Sequence, residues 1–167
     1  MKIRIINGPN LNMLGIREPG IYGKETYDDL CRYIREKAEE LGVEAEIFQS
    51  NHEGELVTII QEALGKADAI VINPAAYTHT SIAILDALKA VNLPAAEVHL
   101  SDVTKRESFR QISYAGMACR EHFIGLGFEG YSRAMKAMKE TVQSSQKVQK
   151  RDTQKTGTEF AKSAEKA

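Results

Sequence analysis

The stretch Ala69-Ile70-Val71-Ile72 is apolar at every position. A strand with one face in water alternates polar and apolar residues, so one without alternation must be covered on both faces, as in the middle of a parallel sheet flanked by helices. The rest of the chain offers such helices. After Thr26, an N-cap with Asp28 and Asp29 in the following turn, the residues Tyr27, Leu30, Cys31, Ile34, Ala38 and Leu41 recur at three- and four-residue spacing up to Gly42, which predicts one apolar helical face closed by a glycine. Leu56, Ile59, Ile60, Ala63 and Leu64 predict a second inward face ending near Gly65, and a third helix runs from Ser81 through Val91, stopped by Asn92 and Pro94. A short helix is expected around Lys105 to Phe109 and a last one from about Tyr131 to Lys139. Ile3 to Ile6, Val43 to Phe48, Ala95 to Val98 and a weaker run at His122 to Ile124 bring the strands to five.

Strands alternating with helices imply right-handed crossovers and an α/β fold with an open parallel sheet and helices on both faces. For five strands the flavodoxin-like order 2-1-3-4-5 is the expectation. The 167 residues suit one domain, placed at 1–143, and from Ser144 the composition turns to Ser, Gln, Lys and Thr, read as a disordered tail over 144–167. Twenty-two Lys and Arg against 23 Asp and Glu leave a net charge of −1, and a balanced chain lacks the basic field that nucleic-acid backbones require. No apolar run is long enough to span a membrane, and the N-terminus enters a strand without a signal-peptide layout, so a cytoplasmic, soluble protein is expected. Cys31 and Cys119 fit reduced, unpaired thiols, with Cys31 on the apolar face of its helix.

In open parallel sheets, ligands bind beyond the carboxyl ends of the strands, where the strand order reverses. Each polar cluster here follows a strand: Asn7 to Gly23, Gln49 to Glu53, Asn73 to Ser81, and His99 to Arg110. The first is too long for a turn, and its Gly and Pro residues suit a loop that closes as a piece over a site. Asn73, His79, Ser81, Ser101, Arg106 and Arg110 suit a small, oxygen-rich anion, with helix N-termini after Ser81 and Ser101 as further donors. Glu97 and His99 sit two apart, so on a strand they share a face, and a carboxylate on one imidazole nitrogen fixes the tautomer and raises the basicity of the ring, as a general acid needs. Arg17 and Tyr22 share the long loop, where a guanidinium would favour the ionised phenol and make it a base. An ordinary loop tyrosine would read the same way. Gly125-Leu126-Gly127-Phe128-Glu129-Gly130 fits G-x-G-x-x-G, but no βαβ unit follows, so its glycines are read as letting the last helix pack closely on the sheet. No zinc spacing occurs, and no metal site is expected.

The blocks Ile6-Asn7-Gly8-Pro9-Asn10-Leu11-Asn12, Arg17-Glu18-Pro19 with Tyr22-Gly23, Gln49 to Gly54, Ile72-Asn73-Pro74 with Tyr77 to Ser81, Glu97 to Ser101, and Arg106-Glu107 with Phe109-Arg110 together resemble type II 3-dehydroquinate dehydratase, from about Lys2 to Lys139. The resemblance implies a cofactor-free anti-elimination of water from 3-dehydroquinate, giving 3-dehydroshikimate through an enolate, in the shikimate pathway of aromatic amino acid biosynthesis. It implies Tyr22 as the base at C2, Arg17 as support for its ionised state and for the enolate, His99 oriented by Glu97 as the acid at the departing C1 hydroxyl, and Asn10 as holder of a water at the enolate oxygen. Asn73 with the backbone of Leu100 and Ser101 would bind the carboxylate, and His79 and Arg110 the ring hydroxyls. Asp86 matches an acidic position that faces the site from a neighbouring subunit, in a homo-oligomer expected to be a dodecamer built from trimers. Asp102 stands where the family commonly has Asn, which adds a negative charge near an anionic substrate. A flavodoxin-like mononucleotide-binding module, with Thr78 to Ser81 on phosphate, is the alternative.

Overall fold

The computed structural model describes residues 1–16 and 25–164, with side chains described as far as residue 148. The strands β1 (Lys2–Asn7), β2 (Glu44–Gln49), β3 (Ala69–Asn73), β4 (Ala95–His99) and β5 (Glu121–Ile124) form one parallel sheet in the expected order β2-β1-β3-β4-β5. Helices α1 (Tyr27–Leu41) and α4 (Glu129–Ala164) pack on one face, α2 (Glu53–Gln61) and α3 (Ile82–Val91) on the other.

The apolar β3 run divides between those layers with the strand's period of two. Ala69 and Val71 meet Leu30 and Ile34 of α1 and Met135 and Met138 of α4, whereas Ile70 and Ile72 meet Leu56 and Ile60 of α2 and Ile84 and Leu88 of α3. Each large side chain so buried contributes about 1.5–3 kcal/mol relative to exposure. Local chemistry sets the helix ends. The Asp29 N–H donates to Thr26 Oγ1 at 3.2 Å while the Thr26 N–H donates to Asp29 Oδ2 at 2.9 Å, and Gly42 closes α1 at φ 64. Ser81 Oγ caps α3 by accepting from the Ile84 N–H at 3.0 Å. Gly130 lets α4 approach β4 closely, since a Cβ there would lie 3.1 Å from Val98 Cγ1. Cys31 and Cys119 are free thiols, Cys31 buried on α1; burial pushes the Cys119 thiol up to about 12.

Three boundaries differ from expectation. Leu64 is 63% exposed, because α2 ends at Gln61 and the turn that follows keeps Ala63 buried but leaves Leu64 outside. The helix expected near Lys105 to Phe109 is two single 3-10 turns, Val103–Lys105 and Ser108–Arg110. The last helix, expected to stop near Lys139, spans Glu129–Ala164, so the segment from Ser144, expected to be a disordered tail, continues it. Among the residues whose side chains are described, its burial stripe ends at Val142, and the sequence beyond is rich in Lys and Gln and free of proline, which a helix tolerates.

The carboxyl ends of three strands are level, with Asn7 in register with both Gln49 and Asn73. Tyr131 of α4 fastens them: its hydroxyl donates to Asn7 Oδ1 at 2.6 Å and accepts from Asn73 Nδ2 at 3.0 Å, with all three residues at most 2% exposed. Tyr131→Phe would leave buried amide groups without partners, at a cost of about 1–3 kcal/mol. Urea titration is expected to show a lower midpoint with an unchanged denaturant slope.

Candidate active site

Alternation on β4 sends Ala96 and Val98 toward α1 and α4, and Ala95, Glu97 and His99 to the opposite face. Glu97 and His99 therefore share that face, as read from the sequence, and Glu97 Oε1 lies 2.9 Å from His99 Nε2. Glu97 is fully buried, yet it accepts from more than one side. Thr78 Oγ1 donates to Oε1, Ser113 Oγ reaches Oε1 at 2.8 Å and Oε2 at 2.9 Å, and Nδ1 of the half-exposed His122, its register partner on β5, lies 3.2 Å from Oε2. Burial alone would raise the Glu97 pKa, but the hydrogen bond and charge of His99 and the bonds from Thr78 and Ser113 outweigh it and hold the carboxyl at about 2. Gly116 makes room for this, since a Cβ there would sit 2.5 Å from Glu97 Oε2 and 2.6 Å from Ser113 Oγ.

His99 forms part of the wall of a cavity of about 130 Å³ beyond the carboxyl ends of β1, β3 and β4. Asn10, Asn73, His79, Leu100, Ser101, Arg106 and Arg110 line it, together with apolar groups from Leu11, Leu14 and Val103. The His79 ring lies nearly parallel to His99, with centroids 6.4 Å apart, and its Nδ1 donates to the Ile112 carbonyl at 2.7 Å, which leaves Nε2 as an acceptor. Asn73 is committed at its floor position, with Oδ1 accepting from the Ala75 N–H at 3.2 Å and one Nδ2 proton given to Tyr131. Its second amide proton is left for a ligand. Arg110 Nε donates to Glu107 Oε2 at 2.9 Å, and its guanidinium lies over the Phe109 ring. Two arginines and two imidazoles around a small, partly apolar hollow suit an anion with hydroxyl groups.

Asn10 takes a left-handed conformation, φ 66, and its N–H donates to Asn51 Oδ1 at 2.9 Å. Asn51 in turn receives Gln49 Nε2 at 3.1 Å on that oxygen and the Tyr77 hydroxyl at 3.0 Å on its carbonyl. The end of β2 thereby braces both the segment after β1 and the turn after β3.

Of the residues singled out in the sequence, Asn10, Asn73, His79, His99, Leu100, Ser101 and Arg110 meet in this one cavity, and Glu97 stands behind His99. Arg17 and Tyr22 lie outside the described residues. Asp86 is exposed on α3 and does not line the cavity of its own chain. Ser81 is buried as the α3 cap instead of facing a ligand. No helix begins at Ser101; Asp102 Oδ1 accepts from the Thr104 N–H and hydroxyl and Oδ2 pairs with Lys105, contacts that hold its carboxyl below the usual range. Asp102 is thus held as a carboxylate by donors of its own turn. Sequence reasoning missed Ser113 and His122 as partners of Glu97, for which the sequence carries no spacing signal.

The sequence matches the family described as Dehydroquinase class II over residues 1–139. The chain belongs to the class II dehydroquinase family. Among relatives, the 3-dehydroquinate dehydratase of Clostridium acetobutylicum is 51% identical over 139 residues, covering 83% of this chain and 96% of that protein. The enzyme of that name from Caldicellulosiruptor bescii is 54% identical over 140 residues, covering 83% and 97%. The crystal structure of a type II dehydroquinase from Butyrivibrio crossotus superposes with a TM-score of 0.81 at 49% identity, covering 83% of this chain and 97% of that one. The matched span contains every described residue of the cavity and ends before the polar continuation of α4.

Glu97 ties the site to stability through pH. Its folded pKa of about 2 lies below the unfolded value of about 4.3, so its contribution is fully present above the unfolded pKa and is lost as pH falls through the folded one. Glu97→Gln removes that titration. Denaturant titrations are expected to show the variant a few kcal/mol less stable at pH 7, with the gap to the parent narrowing by about pH 3.

Proposed function

We propose that this member of the class II dehydroquinases removes water from 3-dehydroquinate to give 3-dehydroshikimate, a hydro-lyase step of the shikimate pathway. The observation that carries the reading is His99, backed by buried Glu97, in the wall of a small cavity shared with Asn73, Ser101, His79 and Arg110. A cavity of about 130 Å³ suits a small hydroxy acid, well below the size usual for larger ligands.

The ketone beside C2 makes that carbon acidic, so the reaction needs a base, an acid and charge stabilisation. Tyr22, with its phenolate favoured by Arg17, takes the C2 proton, and the electron pair of the broken C–H bond moves onto the C3 oxygen as an enolate. A water held by Asn10 donates to that oxygen. Collapse of the enolate forms the C1–C2 double bond and expels the C1 hydroxyl, which leaves as water with a proton from His99. Because Nε2–H is given to Glu97, the proton that moves is the one on Nδ1. The second amide proton of Asn73 and the backbone N–H groups of Leu100 and Ser101 hold the substrate carboxylate; His79 and Arg110 hold ring hydroxyls. No step requires a cofactor or metal. Asp86, exposed on α3, approaches the cavity of a neighbouring copy in a dodecamer of trimers, for which light scattering should give the mass of twelve chains. The protein acts in the cytoplasm.

Mixing the protein with 3-dehydroquinate is expected to produce the ultraviolet absorbance of a conjugated enone, at a rate unchanged by chelator. Tyr22→Phe should slow it by about a hundredfold or more. A flat trace from the folded parent protein would rule the dehydratase out.

A further inference from the structure

We infer that Thr78 and Ser113 are positioning residues whose hydroxyl protons end on Glu97, keeping it a pure acceptor and so fixing His99 as the tautomer protonated at Nε2, with Nδ1 left for substrate. The proposal deepens the dehydratase reading, on which only its kinetic arm rests.

The direction of the hydrogen bonds follows from counting protons. The Gly116 N–H donates to Ser113 Oγ at 2.8 Å, which occupies a lone pair of that oxygen and turns its single proton outward. Two acceptors are within reach, the Glu97 carboxylate and Thr78 Oγ1, the latter 2.8 Å away. Thr78 Oγ1 itself donates to Glu97 Oε1. Whether the Ser113 proton goes straight to the carboxylate or through Thr78, the chain therefore terminates on Glu97. The two hydroxyls are held together by the backbone, since the Tyr114 N–H donates to the Thr78 carbonyl at 2.7 Å.

An acceptor-only Glu97 also requires Nδ1 of His122, 3.2 Å from Oε2, to donate, and it has one consequence for His99. The 2.9 Å contact between Oε1 and Nε2 can be a hydrogen bond only if the imidazole supplies the proton. Without the hydroxyls, a carboxyl this deeply buried gains protons more readily, and a protonated Glu97 could donate to Nε2. That would release His99 into the opposite tautomer, with the proton of the neutral ring on Nδ1, where the substrate would meet a donor already committed.

The test uses full-length protein labelled with 15N-histidine, whose four histidines give a small set of side-chain signals, assigned with His99→Gln. In the parent protein, neutral His99 is expected predominantly as the Nε2–H tautomer. Thr78→Val combined with Ser113→Ala should mix the tautomers and lower kcat about ten- to a hundredfold, with KM changed by no more than about twofold. Thr78→Ser, which keeps the hydroxyl, should retain both the parent tautomer and the parent kcat; a loss there equal to that of Thr78→Val would mark a packing role and overturn the proposal. His99 protonated at Nδ1 in the parent protein, or an unchanged tautomer in the double variant, would also overturn it. Parent protein that fails to turn over 3-dehydroquinate would defeat the dehydratase reading alone, because the tautomer measurement needs no substrate.

Discussion

One buried hydroxyl keeps the ends of β1 and β3 at the same level. Tyr131 reaches from α4 through the apolar layer to bond Asn7 and Asn73 at once, at the position where the sheet stops being covered by helices. Burial keeps the phenol protonated by driving its pKa upward, so it remains a donor. Strand order reverses on the two sides of β1, and the segments leaving β1 and β3 begin from fixed, adjacent points. The Gly8 N–H donates to the Asn73 carbonyl at 2.8 Å, and a Cβ at Gly8 would collide with the Pro74 carbonyl at 2.5 Å. Beside the cavity, two backbones meet at a distance that only glycine permits.

The wall of the cavity follows a different rule. Glu97 occupies a position on β4 that an apolar residue would fill in an ordinary central strand, beside Ile72 of β3 in register. A buried charge is tolerated only when hydrogen bonds replace its water, and here two hydroxyls and two imidazoles do so. The cost of burying the charge is offset by donors drawn from the turn after β3, the segment before β5, and β4 and β5 themselves. The geometry of the Glu97–His99 pair and the folding of this wall thus depend on the same contacts.

How much of this could be read from the sequence follows from the distance over which each signal acts. Period-two and period-3.6 patterns, with the N-cap at Thr26, marked the strands and helices and the shared face of Glu97 and His99, because those are relations between near neighbours in the chain. Leu64 was misread because the helical period was carried three residues past the helix end at Gln61, into a turn whose composition does not change. The length of α4 was misread because a helix without a buried stripe carries no periodic signal beyond Val142. Ser113 and His122 were missed because their link to Glu97 exists only once β4 and β5 pair and the preceding segment folds over them. The fold was legible as a pattern, whereas the environment of Glu97 and His99 was a product of tertiary structure.

Backbone strain is concentrated at the same place. Among the described residues, Asn10, Ala75 and Asn92 are the non-glycine positions with positive φ; Asn92 ends α3, while Asn10 and Ala75 both line the cavity. For alanine the left-handed region costs on the order of 1–2 kcal/mol, so a restraint must hold it there. The restraint has the same form in both cases: a side-chain amide oxygen from a strand end accepts the strained residue's N–H, Asn51 for Asn10 and Asn73 for Ala75. Neither oxygen is free to follow a relaxing loop, since Asn73 is tied to Tyr131 and Asn51 is braced by Gln49 and Tyr77. The strain is therefore borne by the sheet, and the groups that meet a substrate are held in place before it arrives, which spares binding energy the task of ordering them.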